Sequence, residues 1–309
     1  MDGVWSQAEA LRFSAKKTPY EPNNGYPGVK KSNIDIKSMY DGTYIYFLVQ
    51  YDDPTKSLER FPWVKQANGS WKQKLNKDDS GHENTYYEDK FAMLWNINSE
   101  KFVKRGCAAL CHKNRGGKIA GIPDKVAARK FTAKEGVTID MWHWKGVRSN
   151  PVGQVDDQFI DHVKDPKVNK NWGRHGDKKT GGGYKNNFNK DKTGPAFMNS
   201  SSMADTKYMV VPSTKVAFKD TFSTGDVVPG ITVSPFTGPR ADITAKGVWA
   251  NGKWTIEMKR KLVTTGDKSE IQDVQFKDMG KSYLFGVAMF DNSQINHVYS
   301  TQIGALVFK

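Results

Sequence analysis

The apolar positions of this chain fall into short runs bounded by turn residues, and few of them follow a helical period. DGTYIYFLVQYDD (41–53) opens on Asp41-Gly42 and runs through Tyr44, Ile45, Tyr46, Phe47, Leu48 and Val49 to Asp52-Asp53-Pro54. β-Branched and aromatic residues between turn formers predict a strand. KFAMLWNI (90–97) predicts a second, buried one. In KGVWANGKWTIEMKRKL (246–262), two apolar runs flank Asn251-Gly252, the strongest short hairpin signal. Its second arm alternates Trp254, Ile256 and Met258 with Thr255, Glu257 and Lys259, a period of two with one face buried. YLFGVAMFDN (283–292) and HVYSTQIGALVF (297–308) predict further strands.

The middle of the chain has a different texture. Residues 146–200 are rich in Gly, Asn, Asp and Lys, with HGDKKTGGGYKNNFNKDKTG (175–194) at the centre. Long irregular segments in compact domains are mostly functional or disordered. The islands MWHWK (141–145) and PAFM (195–198) are too apolar for a solvated spacer. The expectation is a single, mainly β domain over residues 1–309, with an irregular insertion at about 104–230 able to wrap a ligand.

Composition narrows the class. Aromatics make up 12% of the chain, nine of them tryptophan, which argues against disorder. No apolar run reaches the length of a membrane span. The start, MDGVWSQAEALRF, shows no basic segment followed by an apolar core, so no signal peptide is expected within it. The net charge is +14, but lysines are spread along the whole chain. Without a basic helix or an RNA-binding signature, this pattern suits docking to an acidic protein better than nucleic-acid binding. G-x-S-x-G and H-E-x-x-H are both absent from the sequence, so a hydrolase has no support.

Both cysteines sit in GCAALCH (106–112), followed at once by a histidine. Three chemistries compete. Cys107 and Cys111 fit a buried pair one helical turn apart. They fit part of a zinc site, although no second cysteine pair completes four ligands. They also fit haem attachment, with each thiol bonded to a porphyrin edge and His112 on the iron. The common haem spacing is C-x-x-C-H, and here one residue is added. For the sixth iron position, Met198 lies on the constrained PAFM stretch, and a thioether ligand raises a haem potential. His143 lies between Trp142 and Trp144, which form a candidate platform, and Lys145 and His175 also compete. His82, His162 and His297 read as ordinary polar histidines. Arg148, Arg174 and Arg240 are candidates for haem propionates.

The chain resembles the haem-binding γ subunit of ethylbenzene-dehydrogenase-type complexes, in the dimethyl sulfoxide reductase superfamily. It looks closest to the c-type variant of nitrite oxidoreductases. The resemblance rests on VWSQAEAL, DGTYIYFLVQYDD, YYEDKFAMLW, GCAALCH, MWHWKGVRSNPVG, GRHGD with GGGY, PAFM, GDVVPG, GPRADITAKGVWANGKW and FGVAMFDN, in order over nearly the whole chain. It implies a β-sandwich decorated with helices and loops around one covalent haem c. It implies a non-catalytic electron-transfer subunit between an iron–sulfur β subunit, beside a molybdopterin α subunit, and a soluble cytochrome c. The expected location is the periplasm or an equivalent compartment, such as an anammoxosome. Relatives with a b haem use Met and Lys ligands, and GCAALCH lies near their methionine, so His112 is the natural replacement. Cys107, Cys111, His112 and Met198, with Trp142, His143 and Trp144, are the expected haem-binding residues. The competing expectation is an extracytoplasmic β-sandwich that binds carbohydrate or protein, which leaves GCAALCH unexplained.

Overall fold

A computed structural model describes residues 2–18, 21–26, 28–79, 83–113, 118–119, 122–123, 128–165, 167–201 and 207–309. For residues 2–3 and for those within 111–129 it describes the backbone only. The elements that position the site are, in chain order, β1 (Leu11–Lys17), β2 (Lys31–Tyr40), β3 (Tyr44–Asp52), β4 (Lys90–Asn96), helix α1 (Glu100–Arg105), β5 (Cys111–Lys113), β6 (Ala128–Lys130), β7 (Ile139–Lys145), β8 (Asp156–Ile160) and β9 (Arg174–Gly176). They continue with β10 (Phe197–Asn199), β11 (Lys215–Ala217), β12 (Ile243–Ala250), β13 (Lys253–Lys261), helix α2 (Ser269–Gln272), β14 (Tyr283–Phe290), β15 (Val298–Ser300) and β16 (Gly304–Leu306).

Twelve strands form one folded-over antiparallel sheet, and the result is a β-sandwich. One layer runs β9-β8-β7-β4-β14, with β16 also on β14; the other runs β1-β2-β3-β13-β12, and β15 joins the two. The hairpin at Asn251-Gly252 has positive φ at both residues, 52° and 74°, as a two-residue turn between twisted strands requires. In β3, Ile45, Phe47, Val49 and Tyr51 point inward, and in β13, Trp254, Ile256 and Met258 do so. The layers meet through aromatic rings. Phe47 lies 5.6 Å from both Trp95 and Trp142, Tyr51 stacks on Phe91, and Trp144 lies 4.8 Å from Trp254. Each such pair adds roughly 0.5–1.5 kcal/mol beyond its buried area.

Strands β4 and β7 are buried on both faces, so a second apolar layer covers the outside of the sheet. Ala92, Leu94, Ile139, Met141, Ile160, Ala288 and Phe290 floor it, and Phe102, Cys107 and Leu110 lie on top. Ser99 starts the covering helix α1 by accepting from the Phe102 amide, which satisfies one of its free donors. Gly106 ends it with φ 52°, and a tight turn (Gly106–Ala109) then carries Cys107.

Two expectations change. Within the segment read as irregular, β7 and β8 belong to the main sheet. Double-sided burial removes the alternation that marks a strand. The run 297–308 is two strands instead of one. Tyr299 faces Ala288 while Ala305 faces Leu284, so two extra residues bulge out between β15 and β16. Ile303 in that bulge lies against Gly106.

A Cβ on Gly286 would stand 2.4 Å from Cys107 Sγ. Gly286→Ala is therefore expected to cost about 1–3 kcal/mol, as overpacking does. Urea unfolding of the purified chain checks this, and unchanged stability would mean the Cys107 turn lifts freely.

Candidate functional site

Strand alternation divides the expected haem residues between two faces. Trp142 and Trp144 project between the layers and are spent on core packing. His143 projects outward, onto the face that Cys107 covers. Its ring lies 5.8 Å from Phe290, a member of the Cys107 cluster. The three residues of WHW thus form no joint platform, because neighbours on a strand point opposite ways. The backbones of Cys111 and His112 lie in β5, paired with Lys130 and Arg129 of β6; their side chains lie outside the described residues. Met198 sits on β10, paired with β11, and its Sδ accepts from the Lys219 amide at 3.4 Å. His175 stacks on Phe159 and pairs with Asp161 at 3.0 Å. His82 lies outside the described residues.

Around His143 the outer face is polar and positive. Lys145 and Arg240 both pair with Asp156. Arg148 pairs with Glu88, which also accepts from the Val147 amide at 2.7 Å. Arg174 donates to Gln158 at 3.2 Å. Of the three arginines named for propionates, Arg148 and Arg240 are thus engaged by protein carboxylates. Burial, then Lys145, Lys90, Arg174 and Arg148, holds the His143 imidazole well below its ordinary pKa, so it is neutral. Its Nδ1 lies 3.4 Å from Gln158 Oε1, and its Nε2 has no hydrogen-bond partner among the described residues.

His297, read from sequence as ordinary, is a buried neighbour of the same patch. Its ring lies 4.8 Å from Phe290. Its Nδ1 lies 2.8 Å from the Ile295 carbonyl. A carbonyl only accepts, so Nδ1 carries the proton and Nε2 keeps its lone pair. Burial, with Lys130 adding, brings this imidazole down to about 3. Lys130 is also the residue opposite Cys111 on the β5–β6 ladder. Glu83 fixes the approach to His297. Its carboxylate accepts from Ser293 Oγ and from the amides of Gln294, Ile295 and Asn296, at 2.6–3.1 Å. The signal in the sequence is only Glu83 itself, because 210 or more residues separate it from that loop.

Elsewhere, a cleft of about 640 Å³ is lined by Lys56, Asn150, Met209, Ser213, Trp249 and Trp254, among others. No helix of the described residues is long and apolar enough to cross a membrane.

Burial alone would raise the Asp156 carboxyl, but Lys145 and Arg240 outweigh it and hold it well below the usual range. Asp156→Asn strips the carboxylate from the Arg240 guanidinium and from Lys145, which burial already brings down to about 7, and is expected to cost about 3–5 kcal/mol in urea unfolding. The pH dependence has a fixed sign. A lowered carboxyl stabilises above its unfolded pKa, and that contribution is lost as the pH falls below about 4. The variant's stability should therefore decline less steeply in acid than the wild type's.

Comparison with known proteins gives one family and two distant solved structures. The model of the family described as ethylbenzene dehydrogenase matches residues 2–302. No curated protein matches the chain. Among solved structures, a carbohydrate binding module of family 9 from Caldicellulosiruptor kristjanssonii, in complex with cellotriose, superimposes with a TM-score of 0.31 at 9% identity. That match covers 96% of this chain and 74% of the other. The same organism's module in complex with glucose gives 0.33 at 10% identity, covering 100% and 88%. Superposition at this level carries no functional argument. The match over nearly the whole length does: the chain belongs to the ethylbenzene dehydrogenase family, and so to a multisubunit oxidoreductase complex.

Proposed function

We propose that the chain is an electron-transfer subunit carrying one haem c, bound through Cys107 and Cys111 with His112 on the iron. His297 is the carrying observation. It is buried and neutral, its Nδ1–H is committed to a backbone carbonyl, and it neighbours Lys130, the ladder partner of Cys111. A second-layer hydrogen bond of this kind fixes the tautomer and orients a histidine that ligates a metal. The donor set fits a haem: a thiol on an apolar floor, a histidine beside the second cysteine, and imidazoles flanking Phe290. We assign the sixth position to His297 in preference to Met198, whose sulfur already accepts the Lys219 amide. Haem supplies a one-electron couple. The protein holds it, orients its ligands and sets its potential through ligand identity and burial.

In this reading the chain turns over no substrate itself. It takes electrons from an iron–sulfur subunit beside a molybdopterin subunit and passes them to a soluble cytochrome c, in a complex of the nitrite oxidoreductase type. Covalent haem attachment puts it in the periplasm or an equivalent compartment.

Denaturation followed by acid–acetone extraction tests the core of the proposal. Haem absorbance is expected to stay on the polypeptide, and to become extractable in Cys107→Ala/Cys111→Ala. Absence of haem from the wild type would overturn the reading and turn attention to the Trp249 cleft as a binding site. His297→Ala is expected to change the ferric spectrum and potential while Met198→Ala leaves both unchanged; the reverse result returns the sixth position to Met198. Electron transfer to an acidic carrier is expected to slow as salt rises, measured by stopped flow at increasing ionic strength.

A further inference from the structure

The end of the β7–β8–β9 layer holds an acidic cluster that the proposed electron-transfer role does not use. Asp157 on β8, Asp177 just after β9 and Asp273 after α2 each place a carboxylate oxygen within 4.8 Å of the others. All three are at least 97% buried by accessible area. Each keeps one oxygen without a hydrogen-bond donor among the described residues: Asp157 Oδ2, Asp177 Oδ1 and Asp273 Oδ1.

A fourth, fully buried carboxylate stands beside them. Asp140 shares the inner face of β7 with Trp142, whose cross-strand partner is Asp157. Its Oδ2 accepts from Trp142 Nε1 at 3.0 Å and from the Val274 amide at 2.9 Å, which fixes it next to Asp273. Its Oδ1 has no donor among the described residues. Arg260 is the cation in contact with the group, with Nη2 at 3.8 Å from Asp140 Oδ2 and 3.7 Å from Asp273 Oδ2. It serves the Oδ2 atoms of that pair, and the donorless oxygens remain.

One guanidinium does not balance four buried carboxylates. Buried unpaired charge is costly, so such groups either take up protons or hold a cation. Burial and the neighbouring carboxylates push Asp157 well up and Asp177 to about 9. The protonated cluster is therefore the competing state.

The geometry points to a divalent-cation site of the calcium class, held by Asp157, Asp177 and Asp273 with Asp140 beside them. An all-oxygen, carboxylate-rich set is what a hard cation selects. The ion would tie the edge of one layer to the α2 segment, which runs between β13 of the other layer and β14. A second buried triad, Asp53, Asp89 and Asp291, is better satisfied. Asp89 accepts from the amides of Ser57 and Asn292 and from Trp254 Nε1, and Asp291 accepts from the Val29 amide and Thr55 Oγ1. It lies outside this inference.

The test strips the purified full chain with a chelator and titrates calcium by equilibrium dialysis, following thermal unfolding in parallel. The wild type is expected to bind one more calcium per chain than folded Asp157→Asn/Asp177→Asn. Its melting temperature should also rise with calcium, since a ligand at about a hundred times its dissociation constant lowers the unfolded-to-folded ratio about a hundredfold. Equal stoichiometry in the wild type and the folded variant would overturn the site. So would a wild-type chain that takes up no calcium, magnesium or manganese and whose melting ignores all three, as a protonated cluster predicts. That last result needs no variant to fold.

Discussion

The structure depends on a sheet that must be covered on both sides. Strands β4 and β7 present apolar residues to the sandwich interior and to the outside alike. The interior is closed by the facing layer. Among the described residues, α1 through Phe102 and the turn after it close the outside, and that turn lies flush because Gly286 lacks a side chain beneath Cys107. At about 25 cal/mol per Å² of apolar surface, uncovering this floor would cost far more than a surface turn normally contributes. The segment that bears both cysteines is thereby held down by the core instead of hanging as a free loop.

The same sheet organises its buried charges by partner. Glu88 and Asp156 each meet cations and amide or hydroxyl donors, and they remain ionised at the side of the outer face. Among the described residues Glu83 makes no direct ion pair with a lysine or arginine; backbone amides of the 293–296 loop hydrogen-bond it instead. Oriented amides stabilise an anion as an ion pair would, and they also dictate the path of the chain. The loop so fixed delivers His297 to Phe290. Position and tautomer of that imidazole follow from one carboxylate and one carbonyl, while its neutrality comes from burial, with Lys130 adding.

Much of the sandwich was legible in the sequence because one-sided strands alternate. Trp254, Ile256 and Met258, and the Asn251-Gly252 turn, were read from their spacing and lie as expected. MWHWK was harder. A strand buried on both sides loses its period, and its aromatic composition suggested a haem platform before the core claimed Trp142 and Trp144. GCAALCH stands out in the sequence by residue type, and the structure adds that Cys107 is buried on an apolar floor. The environment of His297 was not legible. Nothing local separates a surface histidine from one whose environment is built by Glu83, Phe290 and Lys130 from elsewhere in the chain. The four aspartates around Arg260 were hidden for the same reason.

Burial also alters the meaning of the net charge. Among the described residues, eleven acids are buried and only five bases. Burial thus withdraws from the surface six more formal negative charges than positive ones among the described residues. A carboxylate inside a low-dielectric layer is screened from an approaching partner far less by ions than by its own bonded cations and amides. An acidic protein at the surface thus meets lysines whose counter-charges have been withdrawn into the sandwich. Steered encounter with such a partner raises association rates without deep interlocking. The acids that order the interior and the lysines that face water are two results of one partition.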